Sequence, residues 1–369
     1  MRITIALLAL SWCAFGAAQR LSLLPHPNDA LQCVPIAISR NNEVIIGSYR
    51  DRYNEYGIYW RNGQLHYLPG IPAAVSADGR RIAIPGGYWE NGNVVRIYPR
   101  NPNREVRPVA MTPDGRVIIG NIQGDPGWLM FRWEQGGELD VHRRIGGPRW
   151  LRPDGQRIYA GGDFPVYADD LCSFETLVER GAPFGTVIAV SDDERWMLTR
   201  ENSNSWVWDS VNNVVYYIEP WANAMRALGK AMSQDGVVYG FLQFSFTDAR
   251  AFRWTPSGGV QDLNDLYGCA LPDGWFYWDV YTVSHDGRYL AGLLRREGGS
   301  EYRAFLLDTQ AGANGDVNGD GCVDDADLLS VLFNFGQTGR GLQADVNCDR
   351  IVDDADLLIV LFNFGVGCQ

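Results

Sequence analysis

Lysine is all but absent from this sequence. Of the 32 basic residues among 369, only Lys230 is a lysine, and by itself that fact carries no function. Histidine is scarce too. His26, His66, His142 and His285 are scattered without ligand spacing, and no Cys-x-x-Cys pair occurs, so a zinc site is not expected. No Gly-x-Ser-x-Gly elbow or phosphate loop is present. The apolar run near the start is too short to span a bilayer as a stable helix, and no later stretch is apolar enough to cross one. The net charge of −12 argues against nucleic acid as a partner. Helix-period patterns are rare before residue 310, whereas 42 glycines and 12% aromatic residues favour a mainly β body.

What is present is a repeated phrase. Its clearest copy is Ala110-Met-Thr-Pro-Asp-Gly-Arg-Val-Ile-Ile-Gly120. Asp-Gly is a tight-turn signal, and the β-branched run after it reads as a strand. Seven copies centre on Asn41, Asp78, Asp114, Asp154, Asp193, Asp235 and Asp286, in steps of 37, 36, 40, 39, 42 and 51. The copies with Asn41-Asn42 and Asp193-Glu194 depart most from the pattern. A mean step of about 41 matches a four-stranded blade of ~40–50 residues. An aromatic strand follows most turns: Tyr59-Trp60, Tyr88-Trp89, Phe131-Arg-Trp133, Trp206-Val-Trp208, Phe252-Arg-Trp254 and Phe305, blurred near Tyr167 in the fourth repeat. A ring at a fixed place in each repeat suits sheets that bury their faces against neighbours.

The pattern Ala-x-Ser-x-Asp-Gly-x-x-Val-x-Gly, followed by Ala-Phe-x-Trp, resembles the bacterial extracellular HAF repeat over roughly residues 37–308. The resemblance implies a β-propeller-like array on a secreted protein, and no reaction comes with it; the seven copies make the expected array seven-bladed. The expected organisation is a signal peptide at 1–18, the propeller at 19–308, a linker at 309–315 and a calcium domain at 316–369. The leader reading rests on Arg2, the apolar Ile3–Leu10 run and the small residues Gly16-Ala17-Ala18; it places the protein outside the cell or on its surface. Whether residues 19–36 supply the last strand of blade seven is open.

Seven cysteines are present, Cys13 in the leader and Cys33, Cys172, Cys269, Cys322, Cys348 and Cys368 beyond it. Six allow fifteen pairings, so connectivity is not deducible.

The repeated turn Asp residues serve geometry before catalysis, and no catalytic residue is assigned. Carboxylates are numerous enough to leave a glycosidase-type pair open. His285, beside a turn Asp, reads as solvent-facing. Two aromatic clusters, Arg52-Tyr53-Asn-Glu-Tyr56 and Gly274-Trp-Phe-Tyr-Trp278, suit a carbohydrate or protein ligand if exposed, and blade core if buried. The second lies in the longest gap between turns.

After Asp316 the texture changes. That stretch holds ten Asp, two Arg and no Glu, a charge of −8. Asp324-Asp-Ala-Asp-Leu-Leu-Ser-Val-Leu-Phe-Asn-Phe-Gly336 returns 29 residues later as Asp353–Gly365, with one substitution. Ahead of each copy stand oxygen ligands at positions 1, 3, 5, 7, 9 and 12 of an EF-hand loop: Asp316, Asn318, Asp320, the Cys322 carbonyl, Asp324 and Asp327, then Asp345, Asn347, Asp349, the Ile351 carbonyl, Asp353 and Asp356. Hard oxygen donors at this spacing wrap Ca²⁺. Two calcium sites are expected, the second weaker because Arg350 replaces the position-6 glycine, Gly321. Each loop leads into a short helix with an apolar stripe, Leu328, Leu329, Leu332 and Phe335 in the first and Leu357, Leu358, Leu361 and Phe364 in the second.

This doublet resembles a type I dockerin. The resemblance implies a small, calcium-folded α-helical domain that docks onto a cohesin-like or cell-envelope protein. It also implies partner choice by Asp325, Ala326, Asp354 and Ala355. The expected function is a non-catalytic secreted scaffold or binding protein; the alternative is a polysaccharide-active glycoside hydrolase or carbohydrate-binding component.

Overall fold

The structure, a computed structural model, describes residues 21–124, 127–142, 147–161, 165–170, 173–310, 315–339, 342–347 and 349–368. The leader at 1–18, Cys172 and Cys348 lie outside them. The chain forms two compact units, Leu21–Thr309 and, at the C-terminal end, 310–369. Among the described residues no helix is long and apolar enough to cross a membrane.

The first unit is a seven-bladed β-propeller. Blade 1 is an antiparallel meander of Gln32–Ile38, Val44–Arg50, Glu55–Arg61 and Gln64–Leu68. Blades 2 to 6 repeat this order over 74–96, 106–142, 147–176, 186–217 and 226–262. Blade 7 differs. Its three inner strands are Trp275–Val283, Tyr289–Arg296 and Tyr302–Asp308, and its outermost is Leu21–Leu23 from the other end of the chain. Residues near the start therefore do close the ring.

The repeated phrase is the hairpin between the first and second strands of each blade. Its side chains form a small hydrogen-bonded cage. In blade 3 the Thr112 hydroxyl donates to Asp114 (2.6 Å), and that carboxylate accepts from the Arg116 amide (3.0 Å). The Val117 amide closes back on Thr112 Oγ1 at 3.0 Å. Burial pushes the Asp114 carboxyl up, but the hydroxyl and amide donors outweigh it and hold the group below its ordinary value. The fourth residue needs a left-handed backbone: Gly115 has φ 69°. The two divergent copies keep that conformation with other side chains, Asn42 at φ 61° and Glu194 at φ 59°.

The glycine that ends the phrase answers a different constraint. The innermost strand carries a β-bulge in six blades, for instance between Gly229 and Ala231 and between Val280 and Thr282. There the second strand approaches the first so closely that a Cβ on Gly240 or Gly292 would lie 1.9 Å or 2.1 Å from a carbonyl oxygen of the inner strand. Only glycine fits.

The recurring rings lie on the third strands, where Trp60, Phe131, Phe252 and Phe305 are nearly or fully buried between blades. Gly274–Trp278 proves to be mostly strand. Tyr277 is core, and Trp278 packs edge-on against Tyr302. The long gap before it is taken up by a short helix, α1 (Leu263–Tyr267), whose Leu263 joins the same core.

The second unit contains two nine-residue helices, α2 (Asp325–Phe333) and α3 (Asp354–Phe362). The segment after each helix pairs with the loop before the other: Gly336 N donates to Val352 O, and Gly365 N to Val323 O. This relates the two halves by an approximate twofold. The core is small, built of Val317, Val323, Val331, Ala344, Val352 and Val360, with Leu328 and Leu357 against it. The apolar stripes of the two helices lie only partly against this core. Leu329, Leu332, Phe335 and their counterparts Leu358, Leu361 and Phe364 are exposed, because α2 lies down on its 327–328–331 face and α3 on its 356–357–360 face.

Candidate functional site

The first candidate is the axial channel of the propeller, a cavity of ≈ 350 Å³ lined by all seven innermost strands. At its turn-side mouth the second residue of several hairpins reaches over the opening. Arg40 of blade 1 grips Asp192 of blade 5 with two nitrogens, at 2.6 and 3.0 Å. His285 of blade 7 places Nε2 2.8 Å from Asp192 Oδ2, and Gln234 of blade 6 accepts from the Asp192 amide at 2.6 Å. The His285 reading is thus corrected: the ring is half-buried and spans the mouth. Both oxygens of the Asp192 carboxylate are engaged, so the trio fastens the mouth and offers no free nucleophile or base.

Deeper in the wall, the bulges of blades 6 and 7 bring Lys230 and Tyr281 together. Lys230 Nζ lies 3.7 Å from the Tyr281 ring centroid and 2.5 Å from Asp279 Oδ2. Asp279 is buried and its Oδ1 has no hydrogen-bond partner. Burial raises its carboxyl to about 6, against the pull of Lys230. A group whose folded value is raised contributes stability below its unfolded value near 3.8, and that contribution is lost as pH rises through about 6. Relative to Asp279→Asn, the wild type should therefore lose up to about 3 kcal/mol between pH 4 and 7, at ~1.4 kcal/mol per pH unit. Urea midpoints of the two proteins across that range measure it; parallel curves would exclude it.

The second candidate is the pair of acidic loops. Asp316 accepts from the Gly319 and Gly321 amides, and Asp345 from those of Asp349 and Arg350. Asn318 and Asp320 accept from the amides two residues on, as do Asn347 and Asp349. Asp327 and Asp356 are fully buried. Each takes the amide of the third loop residue and closes a capping box with the helix N-cap, Asp324 or Asp353. Loop positions 9 and 12 thus also start the helices. Burial, with Asp327 and Asp320 nearby, raises the Asp316 carboxyl; Asp345 is raised in the same way beside Asp356 and Asp349. Among the described residues no three His, Cys, Asp or Glu side chains are drawn together as a metal-holding group. The loops fit a hard cation through donor type and order: carboxylate, amide and carbonyl oxygens, oriented by backbone amides.

Asp325, Ala326 and Asp354 are exposed and Ala355 is half-buried, all on the first turns of α2 and α3. A disulfide joins Cys322 to Cys368. Cys33 is a free thiol within the propeller, and its burial pushes it up to about 12.

No family model and no curated protein matches this chain. Many solved structures share its fold. Oligogalacturonate lyase in complex with manganese is 11% identical at a TM-score of 0.50, over 78% of this chain and 92% of that one. The Cps50 (Swd1) β-propeller domain of Myceliophteria thermophila is also 11% identical at 0.50, over 78% and 99%. An acylaminoacyl peptidase of Pyrococcus horikoshii is 12% identical at 0.49 over 76% of this chain, which spans about half (52%) of that protein. At these identities the likeness establishes the propeller and nothing about activity.

Sequence reasoning missed the Arg40–Asp192–His285 trio and the Lys230–Asp279 pair. The one signal for the latter was compositional, a solitary lysine.

Proposed function

We propose that the protein is a secreted, non-catalytic scaffold whose C-terminal unit docks onto a cohesin-like or cell-envelope protein while the propeller presents a ligand surface. One observation carries the docking role: the apolar side chains of α2 and α3 are turned outward in duplicate. Phe333 is 81% and Phe362 85% exposed, with Leu329, Leu332, Leu358 and Leu361 about half exposed beside them. An apolar face on each of two helices of so small a unit calls for a partner. The dockerin-like pattern supplies its class, with Asp325, Ala326, Asp354 and Ala355 at the edges of those faces.

Calcium would be held by Asp316, Asn318, Asp320, the Cys322 carbonyl, Asp324 and Asp327 in the first loop. In the second, Asp345, Asn347, Asp349, the Ile351 carbonyl, Asp353 and Asp356 would hold it. When bound it supplies positive charge where the carboxylates repel one another. The channel supports binding over glycoside hydrolysis. Such chemistry needs two carboxylates ~5–10 Å apart, and the one carboxylate among the described lining residues, Asp192, is held by Arg40 and His285.

The test is capture from the secreted and envelope fractions of the producing organism, with the full chain and a Phe333→Ser/Phe362→Ser variant as baits, each with calcium and with chelator. A partner retained only by the unaltered chain with calcium supports the reading. Equal capture by both baits regardless of calcium overturns it and moves recognition to the propeller.

A further inference from the structure

The innermost strands set equivalent residues at one level of the channel wall. Five positions before the centre of each hairpin phrase stand Ile36, Ala73, Val109, Arg149, Ile188, Lys230 and Tyr281. Six of them are the extra residue of a β-bulge, and Ala73 comes just before the innermost strand of blade 2. All but Arg149 line the axial cavity. This tier is apolar except where Lys230 and Tyr281 meet. The next position towards the hairpins is alanine in five blades, Ala37, Ala74, Ala110, Ala189 and Ala231. Small side chains there leave the lumen open, and the residues after them, such as Ile38, Val75 and Met111, keep it apolar.

Arg40, Asp192 and His285 stand four residues on from the tier in their own blades, up to about 13 Å away at ~3.3 Å per strand residue. The channel is therefore an apolar sleeve with the Arg40–Asp192–His285 tie at one end and Lys230 at the other. Lys230 is secured from its own side of the wall. Asp279, which is buried and does not line the cavity, takes one of the three donors of the ammonium. The rings of Tyr281 and Phe241 lie 3.7 Å and 4.9 Å from Nζ. The lysine side chain still keeps 22% exposure. Its remaining donors can meet an oxygen that enters the lumen.

We propose that the channel binds a small apolar molecule with one oxygen-acceptor head, a carboxylate or a neutral carbonyl, the head on Lys230 and the body in the alanine-lined sleeve. The cavity of ≈ 350 Å³, mostly apolar with a few placed polar groups, has the character of a small-molecule site. An ammonium on a flexible stem meets a single oxygen in a narrow lumen, where a guanidinium fork calls for two side by side. The proposal rests on the reading of the propeller as the ligand-bearing unit and narrows it to the channel.

Titration of the full chain with benzoate, benzamide, hexanoate and hexanamide, followed by ligand-observed NMR, tests it. Saturable binding of at least one of them is expected. Lys230→Met, which removes a charged donor, and Ala73→Leu, which fills the sleeve, should each weaken it at least about tenfold. A preference for the acids assigns a carboxylate ligand; a preference for the amides assigns a neutral carbonyl. Ala73 is half-buried and lies in blade 2, so its variant folds even if Lys230→Met, which strands Asp279, does not. Saturable binding that neither variant weakens overturns the channel site and leaves the propeller as the ligand-bearing unit. No saturable binding of any of the four overturns the channel site as well, and the capture experiment then decides separately where recognition lies.

Discussion

Leu21→Ala is expected to destabilise the propeller by about 2–5 kcal/mol, the range for emptying a fully packed leucine site. The equivalent change at Leu23, one residue pair away, should cost under about 1 kcal/mol. Both lie on a three-residue strand, yet Leu21 is 5% and Leu23 51% exposed. Leu21 pairs with Leu307 and sits in the core shared by blades 6 and 7, among Tyr277, Phe305 and Leu307. The chain then crosses to the other side of blade 7. Leu24 donates its amide to Ala304 O and enters the core of blades 7 and 1 beside Trp60, whose Nε1 donates to Pro25 O at 2.7 Å. One short segment thus joins three blades.

A ring closed by so few residues loses far more than their area when they fail, because blade 7 then exposes an unpaired strand edge. Leu21→Ala/Leu24→Ala should remove a large share of the ~5–15 kcal/mol that a domain typically has. Urea unfolding followed by tryptophan fluorescence measures all three variants. Costs for Leu21 and Leu23 within about 0.5 kcal/mol of each other would show that this strand does not close the ring.

The seven blades were legible because their marker is local. A hydroxyl, a carboxylate and a left-handed residue build one hairpin whatever lies around it, and even Asn42 and Glu194 follow from the phrase. Glu194 shows what substitution at that place does. It keeps the turn and also takes Arg157 of blade 4 at 3.0 Å and the Tyr159 hydroxyl at 2.8 Å, a link between blades. The channel chemistry was not legible. Arg40 and Asp192 are 152 positions apart, His285 and Asp192 93. They occupy the phrase's second position, which turn geometry leaves unconstrained. Lys230 is placed by a bulge, and a bulge leaves no periodicity to read. In the C-terminal unit the repeat placed the two short helices, but the periodicity of a nine-residue helix could not say which side rests on the core.

Withdrawing calcium should unfold the region 316–368 while leaving the propeller intact. A unit of this size can bury little, and its fully buried apolar set here is five valines and an alanine; domains of that kind depend on metal or disulfides. Ten Asp against two Arg oppose compaction, and calcium held as proposed would bring cation charge to the buried Asp327 and Asp356. Folding and binding are then one equilibrium.

The two loops should differ. At position 6 Gly321 has φ 91°, while Arg350 is held at φ 76°, a conformation costing a non-glycine residue about 1–2 kcal/mol. Arg350→Gly should tighten the second site roughly fivefold or more, since ~1.4 kcal/mol is tenfold. The Cys322–Cys368 bond clamps the first loop to the C-terminal end, so chelator alone should leave residual protection there that chelator with reductant removes. Hydrogen exchange of the full chain, resolved by peptide, reads all of this at once. Unchanged exchange across 316–368 on chelation would mean that the unit stands on its valine core and disulfide. Equal calcium affinity in Arg350→Gly and wild type would mean that the second loop carries no backbone penalty to relieve.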